Sequence, residues 1–181
     1  MEFQPELRTI TWDQRPYTVA TPYVVMKFPF LGNTIHGSVE VFYRNEPLQS
    51  IDDQLCFTNL MNICHLGSTR AHLCISAIQS GFGGLSREKI MSEIVNHLWS
   101  GEFNRRHGYD RSYFKAENDS RLQSMSDWQK FSKEDPEFVL GVKWLPAITI
   151  RYLTEMHFSN YVGGSAPEST KHIGNLLLKA S

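Results

Sequence analysis

The sequence predicts an α+β protein: an antiparallel β-meander packed against helices and continued by a mixed C-terminal extension. Three observations carry that expectation. Short runs rich in Val, Thr, Tyr and Phe, separated by Pro, Gly and Asn, fill the first 44 residues. A single strongly amphipathic stretch, SREKIMSEIVNHLWS at 86–100, comes later. Beyond residue 104 the chain changes to polar segments alternating with apolar ones around Pro146. The expected organisation is a core at 1–104 with an extension at 105–181 packed on it, a single compact domain overall.

Residues 1–8 read as a frayed lead-in. Segments 9–12 and 17–21 are β-rich and are split by the turn-like Asp13-Gln14-Arg15-Pro16. YVVMKFPF at 23–30 is a short apolar run bounded by Pro22 and broken by Pro29. Its length and β-branched content favour a buried strand. Gly32-Asn33 marks a turn. GSVEVFYR at 37–44 alternates, with Val39, Val41 and Tyr43 on one face and Glu40, Phe42 and Arg44 on the other. It is expected to pair antiparallel with 23–30. The polar, Pro-containing 45–53 is an irregular crossing, and 54–63 reads equally as a helical turn or an extended segment.

The helix at 86–100 has every local signal it needs. Ser86 is placed to cap the free N–H groups, and Glu88 sits in the first turn, where the helix dipole favours an anion. Ile90, Met91, Ile94, Val95, Leu98 and Trp99 recur at helical spacing as one stripe, and Gly101 follows as a stop. Phe82-Gly83-Gly84 is a flexible approach. A long polar loop is expected at 102–121 and a short helix at 124–132, with Trp128 and Phe131 inward. Asp135-Pro136 is a helix start, Asp as cap and Pro in the first position. Segments 138–145 and 147–156, on either side of Pro146, accept helix or strand; a Gly/Ser/Pro linker at 163–167 and a terminal helix at 171–180 close the chain. There is no internal repeat.

Composition narrows the function classes. With 41% hydrophobic and 20% charged residues the chain is an ordinary globular one. A formal net charge of -1 gives no whole-chain case for nucleic acid, leaving only a local basic patch at Arg105, Arg106 and Arg111. No apolar run approaches the ~20 residues of a membrane helix. The N-terminal MEFQPELRTITW lacks a signal-peptide centre, so no membrane partner and a cytoplasmic location are expected. Three cysteines are too few and odd for a disulfide scaffold, and fit reduced thiols.

The chemistry concentrates at 59–75, NLMNICHLGSTRAHLCI. Cys64, His65, His72 and Cys74 are four zinc-type donors, but their spacing fits no standard knuckle, and no metal is expected. The His-x-Glu and Cys-x-x-Cys of a zinc deaminase are absent, as is the Gly-x-Ser-x-Gly of a serine hydrolase. Gly81-Phe82-Gly83-Gly84 lacks the Lys-Ser/Thr of a phosphate loop. Asp52-Asp53 reads as a solvated turn, and His36, His97, His107, His157 and His172 are scattered without individual signal. What remains is a thiol nucleophile at Cys74, against its ordinary alternative of an inert packed cysteine. Acyl transfer from a thioester needs a positioned thiol, a donor for the oxyanion and an amine. The Asn62 side-chain amide is a candidate donor.

The order of these pieces resembles the ubiquitin-conjugating family: a β-meander, a Pro-containing crossing, Leu60-Met61-Asn62-Ile63, then Gly67, Leu73-Cys74-Ile75 and the helix at 86–100. It is most similar to divergent bacterial members found with ubiquitin-like modification systems or in plasmid gene clusters. The resemblance spans roughly 22–104. Leu60-Met61 stands where the family has His-Pro, the spacing from Gly67 to Cys74 is longer than usual, and a long N-terminal helix is not evident. The resemblance implies a ubiquitin-conjugating-like fold in which Cys74 holds the thioester and Asn62 stabilises the oxyanion. It also implies an activating enzyme and a ubiquitin-like protein as partners, no cofactor, and a setting such as antiphage defence. Two other readings stand beside it: a catalytically inactive binding module of the same fold, and a phage or plasmid accessory interaction protein without enzymatic activity.

Overall fold

The computed structural model describes residues 1–60, 71–103 and 119–155, together with the backbone of 63–64. It is an α+β arrangement with antiparallel sheets and several helices. In chain order the strands are β1 (Glu2–Phe3), β2 (Glu6–Trp12), β3 (Arg15–Thr21), β4 (Tyr23–Lys27), β5 (Phe30–Leu31), β6 (Thr34–Ile35), β7 (Glu40–Arg44), β8 (Gln54–Phe57), β9 (Ile63–Cys64) and β10 (His72–Leu73). The helices α1 (Ser76–Gln79) and α2 (Arg87–Ser100) follow, then β11 (Glu102–Phe103), α3 (Met125–Glu134) and β12 (Pro146–Thr149). Residues 150–155 are helical.

The main sheet is organised on β7. The expected pairing with β4 is present, from Tyr23↔Arg44 to Lys27↔Glu40. The other edge of β7 is shared. β8 takes its C-terminal half through Phe42↔Phe57 and Tyr43↔Cys56, and β10 takes its N-terminal half through His72↔Glu40. β1 extends the sheet beyond β4, β9 extends it beyond β10, and β12 pairs with β8. All five residues of β7 are buried, so both of its faces are covered, not one. Its two charged residues survive there because each is matched. Glu40, 2% exposed, meets Lys27 Nζ at 3.3 Å. Arg44 meets Asp53 at 3.1 Å and donates to the carbonyls of Glu46, Pro47 and Gln54.

A second sheet has the order β11-β2-β3, with β11 parallel to β2 and β3 antiparallel to it. Here the expectation of a frayed start is corrected. Glu2 and Phe3 pair with Val25 and Val24, and Glu6 begins a seven-residue strand running against β3. The pairing partners of these polar residues lie elsewhere in the chain, so no local pattern announced them. The turn between β2 and β3 is tighter than four residues: Asp13 and Gln14 take φ of 43° and 65°, and Arg15 already belongs to β3. Two successive left-handed residues give the hairpin the twist its strands need. β3 is the outer strand of this sheet, and α3 covers its free edge with side chains. Gln129 Oε1 accepts from Thr18 N–H at 2.8 Å and Ser132 Oγ from Ala20 N–H at 2.8 Å, while Trp128 Nε1 donates to the Ala20 carbonyl at 2.9 Å. The helix thus supplies what a neighbouring strand would have supplied.

α2 forms as its sequence requires. Ser86 Oγ accepts from Lys89 N–H, Glu88 lies in the first turn, and the Gly101 N–H bonds the His97 carbonyl at the end. Its fully buried stripe is narrower than the pattern: Ile90, Ile94 and Leu98 are sealed, whereas Met91, Val95 and Trp99 are half-buried. Trp99 stacks on the Arg8 guanidinium, 4.0 Å from its ring centroid. α3 buries Trp128 as expected, with Phe131 only half-buried. Asp135-Pro136 opens a short 3-10 helix rather than an α-helix, Asp135 accepting from Glu137 N–H. The ambiguous 54–63 contains strand β8, and Pro146 begins strand β12. The loop expected at 102–121 starts as a strand, because Phe103 is fully buried and its carbonyl accepts from Asp13 N–H. The rest of that loop at 104–118, with the basic patch, and the C-terminal linker and helix lie outside the described residues.

Candidate functional site

Cys74 stands at the junction of β10 and α1. Its orientation follows from its neighbours: Leu73 and Ile75 are both buried, so the residue between them faces outward, and Cys74 is an exposed free thiol. The strand leading to it is held on both sides of its last residues. Leu73 N–H donates to the Val39 carbonyl and Val41 N–H to the Ala71 carbonyl, each at 2.9 Å. Leu73 is also the Cα partner of Ile63 in β9. Beyond the thiol the chain turns at once. Ile75 is the N-cap of α1, and its carbonyl accepts from both Ile78 and Gln79 N–H at 3.0 Å.

Two groups approach Cys74 itself. Ser76 Oγ lies 3.4 Å from Sγ. The His97 ring, from the last turn of α2, places Nε2 3.0 Å from the Cys74 carbonyl oxygen. His97 was one of the histidines that carried no signal in the sequence. It lies 23 residues downstream, and its helix pattern marks only its neighbour Leu98 as inward. Asn62, the expected oxyanion donor, lies outside the described residues. It is the sequence neighbour of Ile63, whose partner Leu73 is in turn the neighbour of Cys74.

His72 is buried, with Glu40 as its Cα partner on one side and Cys64 on the other. The side chains of Cys64 and His65 lie outside the described residues, and among the described residues no three His, Cys, Asp or Glu side chains converge on a metal position. Cys56 is half-buried; burial pushes its thiol pKa up, partly opposed by Arg44, which leaves it less thiolate at neutral pH. Asp53 is structural, accepting from Gln49 and Ser50 N–H, and the exposed Asp52 pairs with Arg151. Immediately before 61–70, Thr58 Oγ1 and both amide atoms of Asn59 are buried with no hydrogen-bond partner among the described residues. Each orphaned group of this kind costs about 1–3 kcal/mol. No residue pattern distinguished these two from an ordinary strand end.

A groove of about 310 Å³ opens between the β5–β6 turn and the connection from α1 to α2. Asn33, Ile35, Gln79, Phe82 and Leu85 line it. Arg87 fixes its near wall, donating to the Gly32 carbonyl at 2.7 Å with its guanidinium 5.5 Å from the Phe30 ring. The Gly83-Gly84 approach is bent, not merely loose, since Gly84 has φ of +77°.

No protein-family model, no curated protein and no solved structure matches the chain.

Proposed function

We propose that the chain is a ubiquitin-conjugating-like enzyme that carries a ubiquitin-like protein on Cys74 and transfers it to an amine. The observation that carries this reading is the Cys74 thiol itself: free, exposed and flanked by two buried residues that keep it facing solvent. The thiolate attacks the thioester carbonyl of the loaded activating enzyme. A new sulfur–acyl bond forms and the activating enzyme's cysteine leaves as a thiolate. An amine then attacks the acyl carbon, Cys74 leaves, and the amine proton passes to solvent. The Asn62 amide is the donor proposed for the oxyanion of the second step, transfer to the amine. The antiparallel main sheet and the helix α2 that follows the thiol are consistent with the ubiquitin-conjugating-like architecture proposed here. The N-terminal hairpin β2–β3 occupies the part of the chain where that family has a helix. The proposal needs no cofactor.

Incubation with an activating enzyme, ATP and a ubiquitin-like protein tests the reading. A thiol-labile adduct that disappears in Cys74→Ala and persists in Cys56→Ala and Cys64→Ala is the expected result. Transfer to lysine that falls by about 10²–10³-fold in Asn62→Ala, with loading retained, supports the donor role. A partner set that loads other conjugating enzymes and leaves Cys74 unmodified refutes the enzymatic reading and favours a binding module.

A further inference from the structure

We propose that His97 is the positioning residue of the Cys74 thiol, an inference that rests on the thioester reading above. A carbonyl oxygen only accepts, so the 3.0 Å contact between His97 Nε2 and the Cys74 oxygen requires the proton to reside on Nε2. The contact therefore acts as a strut from α2 to the backbone of the reactive residue. α2 is a rigid anchor for it. Ile94 and Leu98, on either side of His97, are fully buried, and the His97 carbonyl is itself held by Gly101 N–H.

The strut matters because of where it lands. The Cys74 carbonyl belongs to the peptide joining Cys74 to Ile75, the N-cap of α1. Holding that oxygen fixes the rotation of the peptide relative to the Cys74 Cα, and so the direction in which Cβ leaves the chain. The upstream side is already fixed by the Leu73–Val39 hydrogen bond. With His97 in place, the backbone of an exposed residue is pinned on both sides while its thiol stays open. A thioester requires this: its carbonyl must present one face to the amine and its oxygen to a donor. A displacement of about 1 Å in such a geometry costs on the order of 100-fold in rate.

The test uses the full chain and a small acyl probe, the acetyl thioester of mercaptoethanesulfonate. The Cys74 thiolate attacks the acetyl carbon and mercaptoethanesulfonate leaves as a thiolate. Added lysine then attacks the acetyl carbon, Cys74 leaves as a thiolate, and the amine proton goes to solvent. Mass mapping follows both steps at Cys74, and iodoacetamide alkylation of the same thiol runs alongside as a measure of plain accessibility. In His97→Ala, acetyl transfer to lysine is expected to fall by about 10–100-fold. Alkylation and the melting temperature should stay near wild type. His97→Gln, which restores an N–H donor at the same reach, is expected to recover most of the lost rate. Wild-type transfer in His97→Ala overturns the proposal. So does a His97→Gln variant as slow as His97→Ala, or an equal loss of transfer and alkylation. A wild-type chain whose Cys74 is alkylated but never acetylated rejects the thioester reading itself, and the positioning role with it.

Discussion

Removing one hydroxyl from α3 should destabilise the whole molecule. Ser132 is fully buried, and its Oγ both accepts from Ala20 N–H at 2.8 Å and donates to the Trp128 carbonyl at 2.7 Å. In Ser132→Ala the Trp128 carbonyl keeps its helical environment, but Ala20 N–H on the outer edge of β3 is left buried without an acceptor. That orphaned donor costs about 1–3 kcal/mol. Alanine is the better helix former by about 0.5 kcal/mol, which offsets part of it. The net expectation is a loss of roughly 0.5–2.5 kcal/mol, from the difference between those two effects. For a chain of this length that lowers the melting temperature by about 2–4 °C per kcal/mol. Urea unfolding followed by circular dichroism should show an earlier midpoint with an unchanged slope. Gln129→Ala is the internal comparison. Its partner Thr18 N–H is only half-buried, so water replaces the lost acceptor and the cost stays under about 1 kcal/mol. If Ser132→Ala is as stable as wild type, or Gln129→Ala costs as much, the account of α3 as the cover of an edge strand is wrong.

Two further outcomes test the rest of the frame. Gln14 is exposed and left-handed at φ of 65°, so Gln14→Gly should raise stability by roughly 1 kcal/mol in the same urea titration; a loss would show that the Gln14 side chain makes a contact that matters. The hydrogen-bonded Arg121 guanidinium holds the Asp119 carboxyl below its usual value of 3.8. A carboxyl lowered on folding contributes stability above its unfolded value and loses it as pH falls through the folded one. The small advantage of wild type over Asp119→Asn, under about 1 kcal/mol for a pair this close to solvent, should therefore be present at pH 7 and decline as the pH is lowered through and below 3.8. An advantage that grows on acidification contradicts the sign of that shift.

Much of the local structure was legible because its causes are local. The cap at Ser86, the spacing of Ile90, Ile94 and Leu98 and the stop at Gly101 lie within a few turns of one another, and together they define α2 wherever it packs. The pairing of β4 with β7 was visible from two apolar runs and a turn. The exposure of Cys74 was not legible: the sequence left it open between a reactive thiol and a packed one, and its neighbours Ala71, His72 and Leu73 are all buried. The strand over 9–12 was legible, but its beginning was missed, because Glu6, Leu7 and Arg8 show no apolar face and are ordered by β3. The burial of both faces of β7 was missed for a related reason: an alternating strand does not reveal what covers its polar side.

By itself, the sequence determined which segments form helix or strand where periodicity, caps and turns agree within a dozen residues, and it singled out Cys74 by eliminating other chemistries. Only the tertiary structure decided that β8 and β10 divide one edge of β7, that α3 closes the edge of β3 from 112 residues away, and that His97 meets the Cys74 carbonyl across 23. The physical reason is the same in each case. Such contacts join groups whose proximity depends on how already formed surfaces compete for burial and for hydrogen-bond partners, and no short stretch of residues carries that information.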